Sequence, residues 1–534
     1  MTETTQLSGK FAHGTKGLVL LITSLVSSLI MLDSTIVAVS LPAIGRSLGS
    51  TFSQQEWVIS AYLLTYASLL LGSGALGDLW GRKRTMVTGL FIFGIASAAC
   101  GLAPSVLILN IARAIQGIGG AMLLTSALAV ISNTFKGPER IRALAIWGAY
   151  LGVALTLGPI LGGVITRYFG WRWVFLVNVP ACIVLVIAVI YKVDESHDPN
   201  AKRLDWAGIL TFSPGLLLLV NLLISGNEAG WASPSILIQL AGVIIFLGLF
   251  YYSEKKQQRP MIDLSLFGRP TFVGAVFAMV GYGAAAQVMV FYLPLYLQNA
   301  YGFDPLTAGL AMLPFPLPMV LVPRLIFRFG NRWTGRQLLT TGLIITAIGN
   351  LLFWVVARGN YPYPVFIISM LVAGAGAGLL NGETVHVLTA SVPPERSGMA
   401  SGIASSTRLI GILFGVAGLG SILAGVARSN FLSVASGIGL DGGLAGMIAN
   451  HVTSGDLSAV LDKVPSSLKD NIYHFGLQAF AHGFGIASLV ASIGAAITAW
   501  LSFHYIRSAN AAQENSVPSK EEKNCMAIDC RHPL

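Results

Sequence analysis

Asp33 and Arg113 carry opposite charges, and each stands inside an apolar stretch long enough to cross a lipid bilayer. A charge at membrane depth costs about 2.5–3.5 kcal/mol on insertion scales, so it persists where it faces protein or a watery path. The chemistry open to such a pair is proton exchange. Burial disfavours a charged carboxylate and a nearby guanidinium favours it, so their separation sets whether Asp33 holds a proton. A carboxylate that loses its partner during a conformational change gains a proton, which is a means of coupling. The bland alternative is a fixed structural ion pair.

The elements that must hold these residues are apolar helices. The 534-residue chain is 54% hydrophobic and 10% charged, with a mean hydropathy of +0.72. A soluble domain carries about 25% charged residues, so this chain lacks the charge to solvate its own surface. Its 60 glycines suit helices that approach closely in lipid. About 20 apolar residues span the hydrocarbon core. Fourteen segments qualify: 18–41, 57–76, 86–103, 106–134, 141–165, 173–191, 206–225, 235–252, 271–297, 306–327, 337–357, 364–390, 402–424 and 484–506. The first is too long for a secretory signal, and Pro42 is expected to end it with no small-residue cleavage site.

The net charge of +10 is spread over short loops and forms no nucleic-acid patch. With both termini cytoplasmic, 23 of the 33 Lys and Arg residues fall inside, seven outside and three (Arg113, Arg324, Arg408) within helices, so the positive-inside rule sets that orientation. Cys100 and Cys182 lie in apolar segments, Cys525 and Cys530 in the tail, in neither a disulfide nor a zinc pattern. No cofactor is expected.

An internal repeat organises the helices. Helix 4 runs on from Gly117 and exits through Pro138-Glu139-Arg140; helix 12 runs on from Gly374 and exits through Pro394-Glu395-Arg396. A basic loop ending at Arg82 after helix 2 matches one with Arg328, Gly330 and Arg332 after helix 10. The shift of eight helices is even, so the repeats are parallel. The expected order is a cytoplasmic N-terminus (1–17), a six-helix half (18–191), a linker (192–205), two inserted helices (206–252), a linker (253–270), a second six-helix half (271–506) and a polar tail (507–534). Residues 425–483 of the second half read as a long outside loop with some weak amphipathic helix.

After helix 2 comes Gly74-Ala-Leu-Gly-Asp78-Leu-Trp-Gly81-Arg82-Lys-Arg84. Positive-inside accounts for the basic run but not for an acid held between spaced glycines. Helix 1 ends Leu32-Asp33-Ser-Thr-Ile-Val-Ala38-Val-Ser-Leu-Pro42, helix 4 begins Arg113-Ala-Ile-Gln116-Gly117-Ile-Gly-Gly120, and helix 5 holds Gly158-Pro159-Ile-Leu-Gly162-Gly163. Together with fourteen helices, these resemble the major facilitator superfamily, and within it the fourteen-helix drug:proton antiporters that include quaternary-ammonium exporters. The resemblance implies two six-helix halves working by alternating access. It also implies that Asp78, with Gly74, Gly81 and Arg82, forms a conformational latch between the halves, and that Gly158, Pro159, Gly162 and Gly163 mark an antiporter. Leu79 stands where the family usually has Arg, Phe327 where the second loop would carry its acid, Ala38 where the branch commonly has Asn, and Ala154 where the helix-5 motif often has Gly.

At 1.5 Å per residue, Asp33 lies about 5 Å and Arg113 about 10 Å to the outer side of mid-membrane. They share the outer half, with Asp33 the leading proton carrier and Arg113 its modulator. Glu383 on helix 12 and Arg408 on helix 13 match in depth from the inner ends of their helices and are expected to form an inner pair, serving either bracing or proton handling. His386, one turn from Glu383, reads as a packing residue. By the implied fold Tyr62, Tyr66, Gln116, Tyr150 and Tyr292, with Trp147, Tyr282, Gln287, Phe291 and Gln298, line a substrate cavity suited to lipophilic cations.

The resulting expectation is an all-α inner-membrane exporter of lipophilic or cationic small molecules driven by protons. It has no nucleotide-binding loop and no enzyme constellation. A metabolite or siderophore exporter of the same fold and a non-transporting membrane sensor are the alternatives. A periplasmic membrane-fusion adaptor on the outer face is left open.

Overall fold

The computed structural model describes residues 3–198, 205–257, 262–329, 333–392, 397–437 and 440–506, apart from 456, 458, 459, 461–463 and 465–467. The Pro394-Glu395-Arg396 exit, Gly330, Arg332, parts of both linkers and the tail with Cys525 and Cys530 lie outside these residues. Among the described residues, fourteen helices are long and apolar enough to cross a membrane. They are α1 (Lys16–Leu48), α2 (Phe52–Trp80), α3 (Arg82–Gly101), α4 (Val106–Thr134), α5 (Gly137–Tyr168), α6 (Arg172–Lys192), α7 (Trp206–Gly226), α8 (Pro234–Lys256), α9 (Pro270–Asn299), α10 (Pro305–Ile326), α11 (Gly335–Gly359), α12 (Tyr363–Ala390), α13 (Ala400–Gly437) and α14 (Lys469–Tyr505). Each overlaps one expected segment. An even number of crossings puts both ends on one face, here the terminal face; the other is the far face.

The helices fall into two packed groups. α2 and α3 pack on α4, α5 on α1 and α6 on α3; in the second group α11 packs on α12 and α14, and α13 on α14. The groups meet along α2–α13, α5–α10 and α1–α9, and α7 of the α7–α8 hairpin rests against both α2 and α13. Large apolar side chains such as Ile95, Ile183, Ile238 and Ile497 are exposed around the bundle. That surface suits lipid, where helices satisfy their own backbone groups.

Four local expectations are corrected. Pro42 does not end α1, which continues to Leu48; one missing N–H costs a single ladder bond, and the surrounding packing carries the helix past it. The expected loop 425–483 is largely helix: α13 runs on to Gly437, a separate helix covers Gly442–Ser454, and α14 starts at Lys469. α12 breaks at Asn381 and Gly382, with Gly382 at φ +91°, and resumes at Glu383. α9 carries a π-helical turn over Tyr282–Gln287, a wider form found mostly at functional positions.

Glycines set how closely neighbours approach. A Cβ on Gly376 of α12 would lie 2.5 Å from the Thr346 amide nitrogen and 2.9 Å from the Gly342 carbonyl oxygen, both on α11. Gly376→Val is therefore expected to cost about 1–3 kcal/mol of stability, read as a lowered thermal-unfolding midpoint of the purified protein in detergent.

Candidate functional site

Asp33 is fully buried and Arg113 is 1% exposed. The structure brings them together: Arg113 Nη1 donates to Asp33 Oδ2 at 2.5 Å. Close α2–α4 packing makes this possible, because Gly117 lies against the Tyr62 carbonyl and Thr65 donates to the Ala114 carbonyl at 2.7 Å. Arg113 Nε then reaches the Val58 carbonyl at 3.0 Å, and its guanidinium lies over the Tyr62 ring, 4.2 Å from the centroid. The pair takes the place of water for both charges, as a buried ion pair requires.

Gln116 and Asn178 complete the cluster. Gln116 accepts from Arg113 at 2.7 Å and donates to Asp33 Oδ1 at 2.9 Å. Asn178, at the start of the main stretch of α6, donates to the same oxygen at 2.8 Å and to Ser97 Oγ at 3.1 Å, and Ser97 in turn bonds the Phe175 carbonyl at 2.8 Å. Three donors thus converge on one carboxylate. Asn178 and Ser97 were missed by the sequence reading. Asn178 sits in the Asn178-Val-Pro run after the aromatic turn of α6, and an amide at membrane depth was the available signal.

The helix-5 motif packs on both groups. Side chains on Gly158 and Gly162 would run into Thr35 and Ile36, one turn from Asp33 on α1. A Cβ on Gly163 would lie 2.6 Å from the Pro305 carbonyl on α10, and the Pro159 carbonyl lies against Gly309 of α10. The motif therefore joins the turn that carries Asp33 to the seam between the halves.

The polar contacts across that seam gather at the far face. Arg46 reaches the Gly455 carbonyl at 3.4 Å, Gln55 the Ser454 carbonyl at 3.0 Å and Gln298 the Val39 carbonyl at 2.9 Å; Arg167 and Asp304 are 4.0 Å apart. The Thr307 hydroxyl and the neighbouring amides hold the Asp304 carboxyl below its usual range. The Tyr292 hydroxyl contacts the Val416 carbonyl and lies 3.3 Å from Glu56 Oε1, with Glu56 3% exposed. Tyr292 therefore belongs to this seal and not to an open cavity. Glu56 was missed as well, because it falls one residue before the expected start of helix 2.

Asp78 accepts two bonds from Arg82, at 2.8 and 3.1 Å, one turn away in its own loop. Gly81 takes φ +117°, which favours glycine, and the Glu195 carboxylate lies against it while capping the amides of Lys83 and Arg84. The loop is thus bound to the segment after α6 within the same half. Gly74 lies in ordinary contact with Thr125 of α4.

Glu383 and Arg408 do not pair. Glu383 heads the helix after the Gly382 break, lies 3.4 Å from His386 and points at the start of α11, beside Gly335. Arg408 makes no ion pair among the described residues, and its backbone lies against Gly283 of α9. Matching depths missed this because rotation about each helix axis decides which side chains meet. Tyr62 and Tyr66 form a tilted pair 5.6 Å apart, and Tyr150 is half-buried on α5.

Three comparisons bear on this arrangement. The family model described as Major Facilitator Superfamily matches residues 23–336 and 273–449. The multidrug resistance protein Stp of Mycobacterium tuberculosis is 34% identical over 411 residues, covering 77% of this chain and 76% of that one. The multidrug efflux pump LfrA of Mycolicibacterium smegmatis is 30% identical over 466 residues, covering 87% and 91%. Among solved structures, a bacterial homologue of the human lysosomal transporter Spinster aligns with TM-score 0.63 at 15% identity over 93% of this chain and 99% of that one. A D-xylose–proton symporter aligns with TM-score 0.59 at 14% identity over 92% and 98%.

The far-face seal makes a direct prediction. A Cβ on Gly420 would overlap the Glu56 carboxylate, so Gly420→Leu should hold the seam open. A cysteine replacing Gln298 in a cysteine-free background should then react several-fold faster with a membrane-impermeant maleimide than in the parent. Equal labelling would show that the seam closes despite the added side chain.

Proposed function

Because this chain belongs to the major facilitator superfamily, we propose that it is a proton-driven exporter of lipophilic, drug-like small molecules. It is a transporter and not an enzyme. The far face is read as the outside and the terminal face as the cytoplasm, in line with the basic loops on the terminal side, with the bilayer being the cell inner membrane. The domain order given by the sequence is kept, two six-helix halves flanking the α7–α8 hairpin.

The observation that carries the reading is the closed cluster of Asp33, Arg113, Gln116 and Asn178 beside a seam that alternating access must open and close. With the far face sealed, Asp33 is held by three donors and has no path to outside water. Opening the far face moves α5 against α10, and the glycine motif passes that motion to the α1 turn next to Asp33. Movement of Arg113 away from Asp33 would leave a carboxylate in low dielectric, which favours proton uptake. Re-forming the pair on closure would expel the proton toward the cytoplasm. One proton is thus exchanged against one opening of the seam, and Asp78 acts as the latch that re-pairs across the halves when the terminal face closes.

The similarity to a multidrug resistance protein and a multidrug efflux pump supports export. A metabolite or siderophore exporter would share the proton step, and no observation favours a sensor. A periplasmic adaptor would have to dock on the far-face surface around the Gly442–Ser454 helix.

Two expected outcomes test the reading. Asp33→Asn should abolish pH-gradient-driven accumulation of a lipophilic dye in everted vesicles, the counterpart of export from the cell, while membrane abundance falls no more than severalfold. Gradient-driven accumulation that survives in this variant removes Asp33 from the proton path. Asp78→Asn should lower turnover about tenfold or more with dye affinity nearly unchanged, and a parallel loss of both would count against a latch.

A further inference from the structure

Arg408 is the charge that the proton mechanism leaves unused. It lies eight residues into α13 from Ala400, about 12 Å from the terminal-face end of that helix. The side chain is half-buried, and among the described residues it has no ion-pair partner. The acids of the bundle are engaged elsewhere: Asp33 with Arg113, Glu383 with His386, Asp78 with Arg82, and Glu56 in the far-face seal.

Its position follows from helix register. α2 and α13 run antiparallel, with Glu56 against Gly420 near the far face and Leu71 against Gly402 near the terminal face. Ten residues along α2 from Glu56 and twelve back along α13 from Gly420 bring Tyr66 level with Arg408, to within about one turn of helix. From the other side, the Arg408 backbone abuts Gly283, where a Cβ would lie 2.6 Å from its carbonyl oxygen, and Tyr282 precedes Gly283 in the π-helical turn of α9. The Tyr282 hydroxyl is buried without a hydrogen-bond partner. Arg408 thus stands level with a tyrosine of α2, and its backbone lies against the α9 turn that carries the unpartnered Tyr282 hydroxyl, so each half supplies one phenol at its depth.

A cation and phenolic donors beside aromatic rings select for an acceptor group on a flat apolar body. Guanidinium binds carboxylate, sulfonate or phenolate strongly, and the rings supply the apolar contact. A cationic ligand would meet like charge, with the Asp33 carboxylate already committed to Arg113.

We infer that Arg408, level with Tyr66 and beside the α9 turn that carries Tyr282, recognises an anionic or electron-rich group on the transported molecule, so that the preferred substrates are lipophilic acids or phenols. This inference rests on the exporter reading and narrows its substrate class, departing from the cation preference that the family resemblance implies.

The test is equilibrium binding to the purified protein in nanodiscs, with fluorescein as the anionic probe, ethidium as the cationic probe and N-phenylnaphthylamine as the neutral one. The wild-type protein should bind fluorescein at least about tenfold more tightly than ethidium. Arg408→Gln should erase that preference by weakening fluorescein about tenfold while the neutral probe is unchanged, and Arg408→Lys should restore most of it. Equal wild-type affinities for the two charged probes would overturn the inference. So would an Arg408→Gln variant that weakens all three probes alike, since that marks a structural role. Binding is read without a pH gradient, so failure of gradient-driven efflux would remove the exporter reading and leave the anion preference standing.

Discussion

A carboxylate cannot stay charged inside a lipid-spanning bundle unless the protein solvates it, and that constraint organises the first half of this molecule. Asp33 is solvated by a guanidinium and two amides drawn from α4 and α6. Each donor has to be delivered by close helix packing: α4 against α2 at Gly117, α6 against α3 through Ser97 and the Phe175 carbonyl. Removing one member of such a cluster strands the others, at a cost of about 3–5 kcal/mol for a broken buried pair. The same dependence makes the cluster a local balance, because a small displacement of α1 or α4 takes donors away from the Asp33 carboxylate.

The packing of α5 turns this local balance into a property of the whole bundle. Its small residues face α1 on one side and α10 on the other, so a single helix touches both the acid-bearing turn and the opposite half. Pro159 places its carbonyl against Gly309 at that contact. Bulk at any of these positions would push α5 away from the Asp33-bearing turn or from α10.

Much of this was legible in the chain. Apolar length located all fourteen helices, because in lipid a spanning segment must satisfy its own backbone and so announces itself by length and hydropathy. The depth of Asp33 and Arg113 followed from 1.5 Å per residue, and depth sufficed because α1 and α4 also present them to each other. For Glu383 and Arg408 the same reasoning failed. Equal depth says nothing about azimuth, and the break at Gly382 re-aims Glu383 toward α11. Glu56 was invisible for a different reason: hydropathy drew the helix start at Trp57, whereas α2 begins at Phe52 under a Thr51 cap and carries the acid into the seam. Tyr292 was assigned to the cavity by fold analogy and is instead committed to the Val416 carbonyl and Glu56.

The inserted α7–α8 hairpin has a consequence for traffic within the bilayer. α7 covers the α2–α13 seam and touches both halves there, whereas among the described residues neither α7 nor α8 packs closely on α5 or α10. The bundle is therefore lopsided toward the surrounding lipid, roofed along one flank and bare along the other. A greasy molecule dissolved in the leaflet meets a barrier on the roofed flank and a helix pair of small residues on the bare one, so the asymmetry gives the two flanks unequal standing as doorways.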